Sequence, residues 1–504
     1  MRSGIVINIH FIYKQPVQIM SAIASLTLSV SHNTTPYYQQ LREQILTAIR
    51  EKRVKSEERL PSTRNLAKTL GISRSVVTHT YDQLIAEGVL VSMPKRGIFI
   101  ANVSHITLPS ARLNSVAVTD IEKNEGSKGD ATPARYFDSS ADHSVFPYRE
   151  WAASVRRSWL NPDPNILMGN YRLGFPALKE QLAKFLHSLR GIECDPSQII
   201  ITAGNRDALQ LLQHLLKSQV ALWYTENPTY LPINASLTGE LRGLNIIEGG
   251  VSPPDTQATW AAVLTPCRQY PLGVSYSSQY REKWLQSLSE GQGYVIEDDY
   301  DNEFIYQGRP TVTLFQAAKS RPYAEERVFY VGSFSKTLFR GLRLSYVVVP
   351  KGFVRSVLDS QIMIGQSASL PMQPALSDFI ESGAFYRHLN KMRRHYRLKR
   401  DFLEALLTLH LSDWFEWEKP TGGMHILLRY KSPLSEDHQH AQRLKSQAFV
   451  QGLTLSLLEE HYLDPESAPK GLVLGFSNTA EEDMERWVVL LRDLMTEGVF
   501  DPDG

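Results

Sequence analysis

Cysteine is scarce in this chain: its 504 residues include only two, Cys194 and Cys267. Two thiols cannot build a disulfide framework or a metal site made of several cysteines, and their scarcity fits a reducing compartment. We therefore expect a cytoplasmic protein, and we expect no metal.

Long apolar runs are also missing. No stretch approaches the ~20 apolar residues that a membrane-spanning helix requires. Residues 5–13 (IVINIHFIY) are too short and too polar for a signal peptide. We expect residues 1–35 to be a disordered N-terminal extension, within which Met20 is the expected start of translation.

The net charge is small, +1 for the whole chain, and by itself indicates no partner. Its distribution is uneven, because residues 36–101 contain 11 Lys and Arg against 6 Asp and Glu, a net charge of +5. A basic module on a mildly acidic body is typical of proteins that bind nucleic acids. A solvated basic face would give the same balance.

Local patterns divide the chain into segments. Residues 102–134 are rich in Ser, Asn, Gly and Asp and have little periodicity, which predicts a linker. From 135 to 500, apolar strand-like runs alternate with amphipathic stretches. This alternation predicts an α/β domain with a mostly parallel sheet.

Residues 36–101 predict three helices and a β-hairpin. The segment TPYYQQLREQILTAIREKR has apolar residues at helical spacing. Ser62 and Ser73 are expected N-caps of two further helices, which Gly71 and Gly88 end. Val76, Val77, Tyr81, Leu84 and Ile85 are the residues of the third helix expected to face inward. Two short helices joined by a tight turn predict a helix-turn-helix, and VLVSMPKRGIFIA predicts a β wing.

A recognition helix places its first residues against base edges, so operator DNA is the expected partner. The candidates for base contacts are Ser73, Arg74, Ser75, Thr78 and His79. The candidates for phosphate contacts are Arg64 and, on the wing, Lys95 and Arg96. A small helical domain that binds protein is the alternative. The stretch LPSTRNLAKTLGISRSVVTHTYDQLIAEGVL resembles the winged helix-turn-helix of the GntR superfamily, although MPKRGIFI departs from that family's G-x-G-x-F-V wing.

Polar clusters follow several apolar strands, where α/β sheets bind ligands. In RVFYVGSFSKTLFRGLRLSYVVVP, Lys336 lies in a turn with Ser333, Ser335 and Arg343, groups that bind phosphate. In GYVIEDDYDNEF, Asp298 and Tyr300 lie two residues apart and so on one side of an extended segment. Pyridoxal phosphate (PLP) needs a carboxylate at its pyridine nitrogen and a hydroxyl at its phenolic oxygen. A metal site or a solvated loop is the alternative for these acids, and the absence of an accompanying His argues against the metal.

Three further strand ends carry suitable groups. QIIITAGNRDALQLLQHLL predicts a helix whose first backbone N–H groups can bind phosphate, at Gly204, Asn205 and Arg206. ENPTYLP places Tyr230 where it can stack on a flat ring. TPCRQYPLG presents Arg268, Gln269 and Tyr270.

Together these pieces resemble the fold-type I aminotransferase domain of MocR-type regulators, the GntR branch that fuses a winged helix to such a domain. The shared pieces include GNYRLGFPALKEQLAKFL, ENPTY, TPCRQYPLG, IEDDYDNEF, GSFSKTLFRGLRLSY, PTGGMHI and LGFSN, and the resemblance covers nearly all of 36–495. It implies a winged helix-turn-helix over 36–101, mostly α with a small β wing. An α/β fold-type I domain over 135–500 follows, with a mainly parallel sheet and a smaller C-terminal α+β lobe over about 380–500.

The resemblance also implies roles for individual residues. Lys336 would be the Schiff-base lysine, Asp298 would pair with the pyridine nitrogen, and Tyr300 would bond the phenolic oxygen. Other implied neighbours of the cofactor are Tyr230, stacked on the ring, Tyr270, and the phosphate neighbours Arg343, Ser333, Ser335, Gly204 and Asn205. Tyr171 would reach the phosphate of the partner subunit in a head-to-tail homodimer.

The chain departs from the family at three positions. Arg268 stands where His is common, Tyr270 stands where aminotransferases have Asn, and Val473 stands where many members have Arg. Loss of that guanidinium removes about 1.5–3 kcal/mol of interaction with a ligand carboxylate. Arg268 and Arg206 are the alternative anchors for such a carboxylate.

Three functions are compatible with these features. The chain is a transcription regulator that senses PLP or its adduct with an amine or amino acid, a working aminotransferase with an appended DNA-binding domain, or a DNA-binding protein whose large domain only dimerises. The set Lys336, Asp298 and Tyr300 argues against the last. Val473 and Tyr270 argue against efficient transamination, so we predict a regulator with at most weak transaminase activity.

Overall fold

The computed structural model describes residues 28–30, 35–102, 135–291, 293–365, 368–434 and 439–498. Residues 1–27 and 31–34 of the predicted extension, and 103–134 of the predicted linker, lie outside the described residues. The chain divides into two compact units, one up to residue 129 and one from residue 130, and each is described by itself.

The first unit contains three helices and a hairpin, in the order expected for a winged helix-turn-helix. They are α1 (Tyr37–Arg50), α2 (Thr63–Leu70), α3 (Arg74–Ala86), β1 (Leu90–Met93) and β2 (Gly97–Ile100). The two strands are antiparallel, with Met93 opposite Gly97. Ser62 caps α2 by accepting from Asn65 N, and Gly71 ends that helix with φ of 66°. Ser73 caps α3 by accepting from Val76 N.

The inward face of α3 differs in part from the prediction. Val77, Tyr81 and Leu84 are buried as expected, but Val76 and Ile85 are only partly buried. Thr80 takes an inward position instead. Its burial is tolerated because its hydroxyl donates to Val76 O at 2.9 Å, which satisfies the polar group inside the helix.

The second unit alternates helices and strands. Its strands are β3 (Arg135–Tyr136), β4 (Ile199–Thr202), β5 (Leu222–Asn227), β6 (Leu241–Asn245), β7 (Trp260–Leu264), β8 (Gly293–Asp299), β9 (Val328–Ser333), β10 (Ser345–Val348), β11 (Phe415–Glu416), β12 (His425–Tyr430), β13 (Leu453–Thr454) and β14 (Gly471–Gly475). Its helices are α4 (Tyr148–Leu160), α5 (Pro164–Leu167), α6 (Pro176–Arg190), α7 (Asn205–Leu216), α8 (Leu231–Asn234), α9 (Ser278–Ser289), α10 (Leu314–Ala318), α11 (Val354–Ile364), α12 (Gln373–Glu381), α13 (Ala384–His410), α14 (His440–Val450) and α15 (Glu481–Gly498). Short 3₁₀ turns occur at His143–Val145, Pro196–Gln198, Ala324–Glu326, Arg340–Leu342, Lys351–Phe353 and Leu458–His461.

Seven of the described strands form the central sheet in the order β4-β10-β9-β8-β7-β5-β6. All neighbours pair in parallel except β10, which is antiparallel to both β4 and β9. The prediction of a mostly parallel sheet is therefore confirmed. Both faces are covered, since Ile199 and Ile201 pack in one hydrophobic cluster and Ile200 packs in another. Burial on both faces explains why these strands are apolar without alternation.

A smaller lobe follows α12. The long helix α13 and the helices α14 and α15 accompany an antiparallel sheet in the order β11-β12-β14. This lobe contacts the central one where Gly423 N donates to Phe304 O at 2.9 Å. None of the helices in the described part of the chain is long and apolar enough to cross a membrane.

Candidate functional site

Lys336 lies just after β9, at the edge of the sheet where β8 also ends. Its Nζ donates to Ser139 O at 2.6 Å and approaches Ser139 Oγ at 3.1 Å. Burial lowers the pKa of Lys336 to about 8, although the negative charge of Asp301 opposes this. A lysine with a lowered pKa keeps a useful fraction of neutral amine near neutral pH, which is what attack on an aldehyde requires.

Asp298 is buried at the end of β8, next to the start of α7. Its carboxylate accepts from Asn205 Nδ2 at 3.0 Å. Burial raises the pKa of Asp298 to about 7, and the negative charges of Asp299 and Glu226 add to this. A positively charged ring nitrogen against Asp298 would relieve that cost, because an opposite charge favours the ionised carboxylate.

The side chains of Asn205 and Ser333 serve a local network, although both were predicted as phosphate neighbours. Asn205 Oδ1 accepts from Ser345 Oγ at 2.9 Å, and Ser345 Oγ lies 3.0 Å from Ser333 Oγ. Ser333 Oγ also accepts from Ser335 N at 3.1 Å. These bonds fix the turn that carries Lys336 relative to Asp298.

Tyr300 carries a buried hydroxyl with no hydrogen-bond partner among the described residues. Such a group costs about 1–3 kcal/mol when it stays unpaired. The Tyr300 ring lies 6.1 Å from the Tyr270 ring, which in turn lies 5.4 Å edge-on from Tyr230. Tyr230 keeps 44% of its surface exposed, which leaves area for a flat ring to stack on. The unpaired phenol therefore suits an acceptor on a ligand held beside these rings.

The start of α7 offers donors for an anion. Gly204 precedes the helix with φ of 118°, and no side chain caps that end. Uncapped N–H groups at a helix start attract a phosphate. Arg343, predicted to bind the same phosphate, is exposed and has φ of 52°. Tyr171, predicted to serve a partner subunit, donates to Asp163 Oδ2 at 2.6 Å within its own chain.

The groups gathered at this site fit PLP. It combines a buried amine at Lys336, a buried carboxylate at Asp298, an unpaired phenol at Tyr300 and an uncapped helix start at Gly204. These groups come from separate strand ends that the sheet brings together.

Three residues of this region were missed from the sequence. Ser139 lies 197 positions before Lys336 and carries no sequence signal. Asp301 belongs to the EDDYDNEF motif and was a detectable acid, but nothing local showed that it is buried. Arg340 follows Lys336 in the turn, and its positive charge contributes to lowering the pKa of Lys336.

The two alternative carboxylate anchors lie in different surroundings. Arg206 Nη2 donates to Ala235 O at 3.1 Å, at the end of α8. Arg268 is almost fully buried, and its Nε lies 3.3 Å from Asp301 Oδ1. Val473 packs in an apolar cluster with Leu427, near Tyr270. The structure therefore places Arg268, and not Arg206, beside Asp301, whose negative charge acts on Lys336.

The start of α3 forms the candidate nucleic-acid interface of the first unit. Arg74 is exposed, and its Nε donates to Thr63 Oγ1 at 3.3 Å, which holds the starts of α2 and α3 together. Arg64, one residue further on α2, is also exposed. Ser73 Oγ is partly committed to its cap and lies 2.8 Å from Ser75 Oγ.

The other predicted DNA contacts differ in exposure. Thr78 is half-buried, and the exposed His79 ring packs edge-on against Tyr38 with centroids 4.9 Å apart. Lys95 and Arg96 are exposed at the wing tip, where Lys95 has φ of 62°. Two cations at the tip of a hairpin suit contacts to the DNA backbone.

Comparisons with known proteins agree with this architecture. Residues 37–100 match the gntR family of bacterial regulatory proteins, and residues 167–463 match the aminotransferase class I and II family. The chain is 30% identical over 475 residues to the probable rhizopine catabolism regulatory protein MocR of Rhizobium meliloti, covering 91% of this chain and 93% of that protein. It is 28% identical to the pyridoxine biosynthesis transcriptional regulator PdxR of Corynebacterium glutamicum, covering 93% and 98%.

Solved structures show the same fold for the second unit. An archaeal alanine:glyoxylate aminotransferase superposes with a TM-score of 0.63 at 23% identity, over 75% of this chain and 93% of that one. Kynurenine aminotransferase of Pyrococcus horikoshii superposes with the same TM-score at 20% identity, over 76% and 98%.

The fold and the site thus define a class: a DNA-binding regulator whose second domain is a PLP-dependent aminotransferase fold of type I. Its cofactor is pyridoxal phosphate. Within that class the chain belongs to the MocR-type regulators of the GntR superfamily.

Proposed function

We propose that this regulator senses PLP or its adduct with an amine or amino acid, and that the state of Lys336 sets the affinity of the winged helix for operator DNA. The convergence of Lys336, Asp298 and the unpaired Tyr300 hydroxyl in a chain with a gntR domain carries this proposal. Bound there, PLP supplies an aldehyde that reacts with amines.

Each of the chain's own groups has a task in this scheme. The neutral amine of Lys336 attaches the cofactor. Asp298 holds a proton between itself and the ring nitrogen, and Tyr300 donates to the phenolic oxygen. The N–H groups after Gly204, with Ser335 and Arg343, hold the phosphate. A ligand amine would replace Lys336 by giving up its ammonium proton, and the released lysine would take up that proton. Ligand and lysine would thus compete for one position, and the two states would bind DNA differently.

The assembly belongs to the same proposal. We propose a head-to-tail homodimer in which each winged helix lies over the second unit of the partner, in the cytoplasm of a bacterial cell. Support comes from large apolar side chains that stay exposed on α4 and after it, namely Trp159, Leu160, Leu167 and Met168.

The test uses the full chain and an operator selected by the protein from a random-sequence pool. The native protein should gain visible absorbance on addition of PLP, and amines should change both this absorbance and operator affinity. Lys336→Ala should lose both responses while retaining basal operator binding. Unchanged amine-dependent DNA binding in that variant would exclude the mechanism.

A further inference from the structure

A cavity of about 430 Å³ lies between the two lobes of the second unit. Arg268 and Leu272 line it from the large lobe, and His425 and Leu427 line it from β12 of the small lobe. His425 is neutral near pH 7, because burial lowers its pKa to about 4. Tyr270, whose ring lies 5.1 Å from the His425 ring, connects this cavity to the rings beside Tyr300.

Arg268 is the buried cation of this cavity. Its side chain is 7% exposed, and its Nε lies 3.3 Å from Asp301 Oδ1. The geometry does not make a hydrogen bond, and within the described residues neither that Nε nor either oxygen of Asp301 has a hydrogen-bond partner. An incompletely paired guanidinium in a buried position is costly, and an anion that supplies the missing acceptor removes that cost.

The small lobe leaves space for this side chain. A Cβ at Gly422 would clash with Arg268 Nη2, and one at Gly423 would lie 3.0 Å from Arg268 Cδ and 3.1 Å from Asp301 Oδ2. Gly423 also has φ of 82°, which favours glycine. Two consecutive glycines therefore admit Arg268 between the lobes.

Part of the cavity wall is apolar. Leu427, Leu458 and Val473 form a cluster against which Leu272, Tyr270 and Tyr462 pack. Three of these residues also line the cavity, namely Leu272, Leu427 and Tyr462. The other charged residues that line it are Glu248, Glu418, Lys419 and Arg429. Lys419 already pairs with Asp401 at 3.0 Å and with Glu404.

We infer that Arg268 anchors the effector of this regulator, and that the effector is an amine with an apolar body and a carboxylate. The inference rests on the proposed function, because the amine of the effector must react with the cofactor held by Lys336. Val473 packs in the apolar cluster with Leu427 and offers no donor to a carboxylate, whereas the guanidinium of Arg268 does.

Asp301 links the anchor to Lys336. The carboxylate of Asp301 is stabilised by the positive charges of both Arg268 and Lys336, while burial raises its pKa to about 6. A ligand carboxylate on Arg268 releases Asp301 from that arginine. Asp301 is then free to neutralise Lys336, which becomes an ammonium when it takes up the proton that the incoming ligand amine gives up. Both ends of the ligand therefore act on the same carboxylate.

The test compares three probes on full-length protein loaded with PLP: pentylamine, L-norleucine and 6-aminohexanoate. L-Norleucine is pentylamine with a carboxylate added on the carbon that bears the nitrogen. 6-Aminohexanoate is pentylamine with a carboxylate added at the opposite end of the carbon chain. Apparent affinities come from the change in visible absorbance and, independently, from the change in affinity for the selected operator. We expect at least one carboxylate probe to bind about 10-fold or more tightly than pentylamine, because a charge-assisted bond is gained.

Variants assign that preference to a residue. Arg268→Met should abolish it, Arg268→Lys should retain part of it, and the matched control Arg206→Met should leave it unchanged. Equal affinities of the three probes in the native protein, or a preference that persists in Arg268→Met, would overturn the assignment. If Arg268→Met does not fold, the comparison of the three probes on native protein and on Arg268→Lys tests the assignment. Full loss of the carboxylate preference in Arg206→Met would assign the anchor to Arg206 and overturn the inference. If native protein responds to pentylamine alone, the proposed function stands and the inferred effector class is excluded. If it responds to no amine, both are excluded.

Discussion

Lys336 and Asp298 have pKa values that burial moves toward each other, to about 8 and about 7. A lysine and a carboxylate ordinarily titrate several units apart. Desolvation disfavours the charged form of each, so both groups approach neutrality at physiological pH. Lys336 and Asp298 can therefore each gain or lose a proton near neutral pH when a cofactor with a charged ring and a phosphate binds.

The rate at which cofactor-free protein captures PLP should rise with pH and be half-maximal near pH 8, because only the neutral amine of Lys336 attacks. Stopped-flow absorbance measures this rate, with butylamine in parallel to correct for ionisation of PLP itself. Asp301→Asn should move the midpoint to lower pH, since Asp301 raises the pKa of Lys336. A midpoint near that of butylamine, or one that Asp301→Asn leaves in place, would contradict the prediction.

Tyr300→Phe should weaken cofactor binding without lowering the stability of the cofactor-free protein. Removing a buried, unpaired hydroxyl leaves the free energy of unfolding of cofactor-free protein unchanged or raises it by about 1 kcal/mol. The same change should weaken PLP binding by about 10-fold, because a hydrogen bond to the phenolic oxygen is lost. Urea unfolding and PLP titration give the two quantities. A cofactor-free protein clearly less stable than native would show that Tyr300 has a partner within the chain.

At the scale of elements, two caps and a hairpin turn define the candidate DNA-binding face. Ser62 and Ser73 fix where α2 and α3 begin, and the bond from Arg74 to Thr63 sets those beginnings side by side. The wing carries its cations at the exposed turn between β1 and β2. The start of α3 and the tip of the wing are therefore separate proposed contacts, which mutations can distinguish.

Arg74→Ala should weaken binding to the selected operator by about 1–3 kcal/mol and relax specificity at one base position, as expected for a base contact. Lys68→Ala, which removes an equal charge from the exposed surface of α2, is the matched control and should have a smaller effect. Quantitative binding to the operator and to single-base variants measures both. Equal affinity of native and Arg74→Ala would remove this arginine from the interface.

The double change Lys95→Ala and Arg96→Ala should weaken binding to operator and to random DNA to a similar extent. Contacts to phosphates carry no sequence information, and their loss lowers the slope of log affinity against log salt by about 2. Titrations at several salt concentrations measure this slope. A loss confined to the operator would show that the wing reads bases.

At the scale of the whole molecule, the proposed dimer gives a prediction that mutations can test. Sedimentation should give about twice the 57.1 kDa of one chain, and the operator should contain two half-sites. Leu160→Asp should yield monomers, because Leu160 is 71% exposed on α4 and belongs to the proposed interface. Phe449→Asp is the control, since Phe449 is comparably exposed but lies on α14, which is not part of the proposed interface. A monomeric native protein, or a dimer that survives Leu160→Asp, would contradict the proposed arrangement.

The sequence by itself determined the elements and the chemistry available at their ends. Caps at Ser62 and Ser73, the apolar strands and the polar turns after them are local signals, because helix starts and strand burial depend on neighbouring residues. Lys336, Asp298 and Tyr300 could be predicted as one set because each lies at or just after the end of a strand, and strands of a parallel sheet end at a common edge.

Only the tertiary structure decided which groups meet across the chain. Lys336 contacts Ser139 from 197 residues away, and Arg268 pairs with Asp301 in space that the missing side chains of Gly422 and Gly423 leave open between the lobes. Such contacts depend on the strand order and on the fit between two lobes, which no local pattern encodes. Burial is likewise a property of the folded chain, so the lowered pKa of Lys336 and the incomplete pairing of Arg268 appear only there.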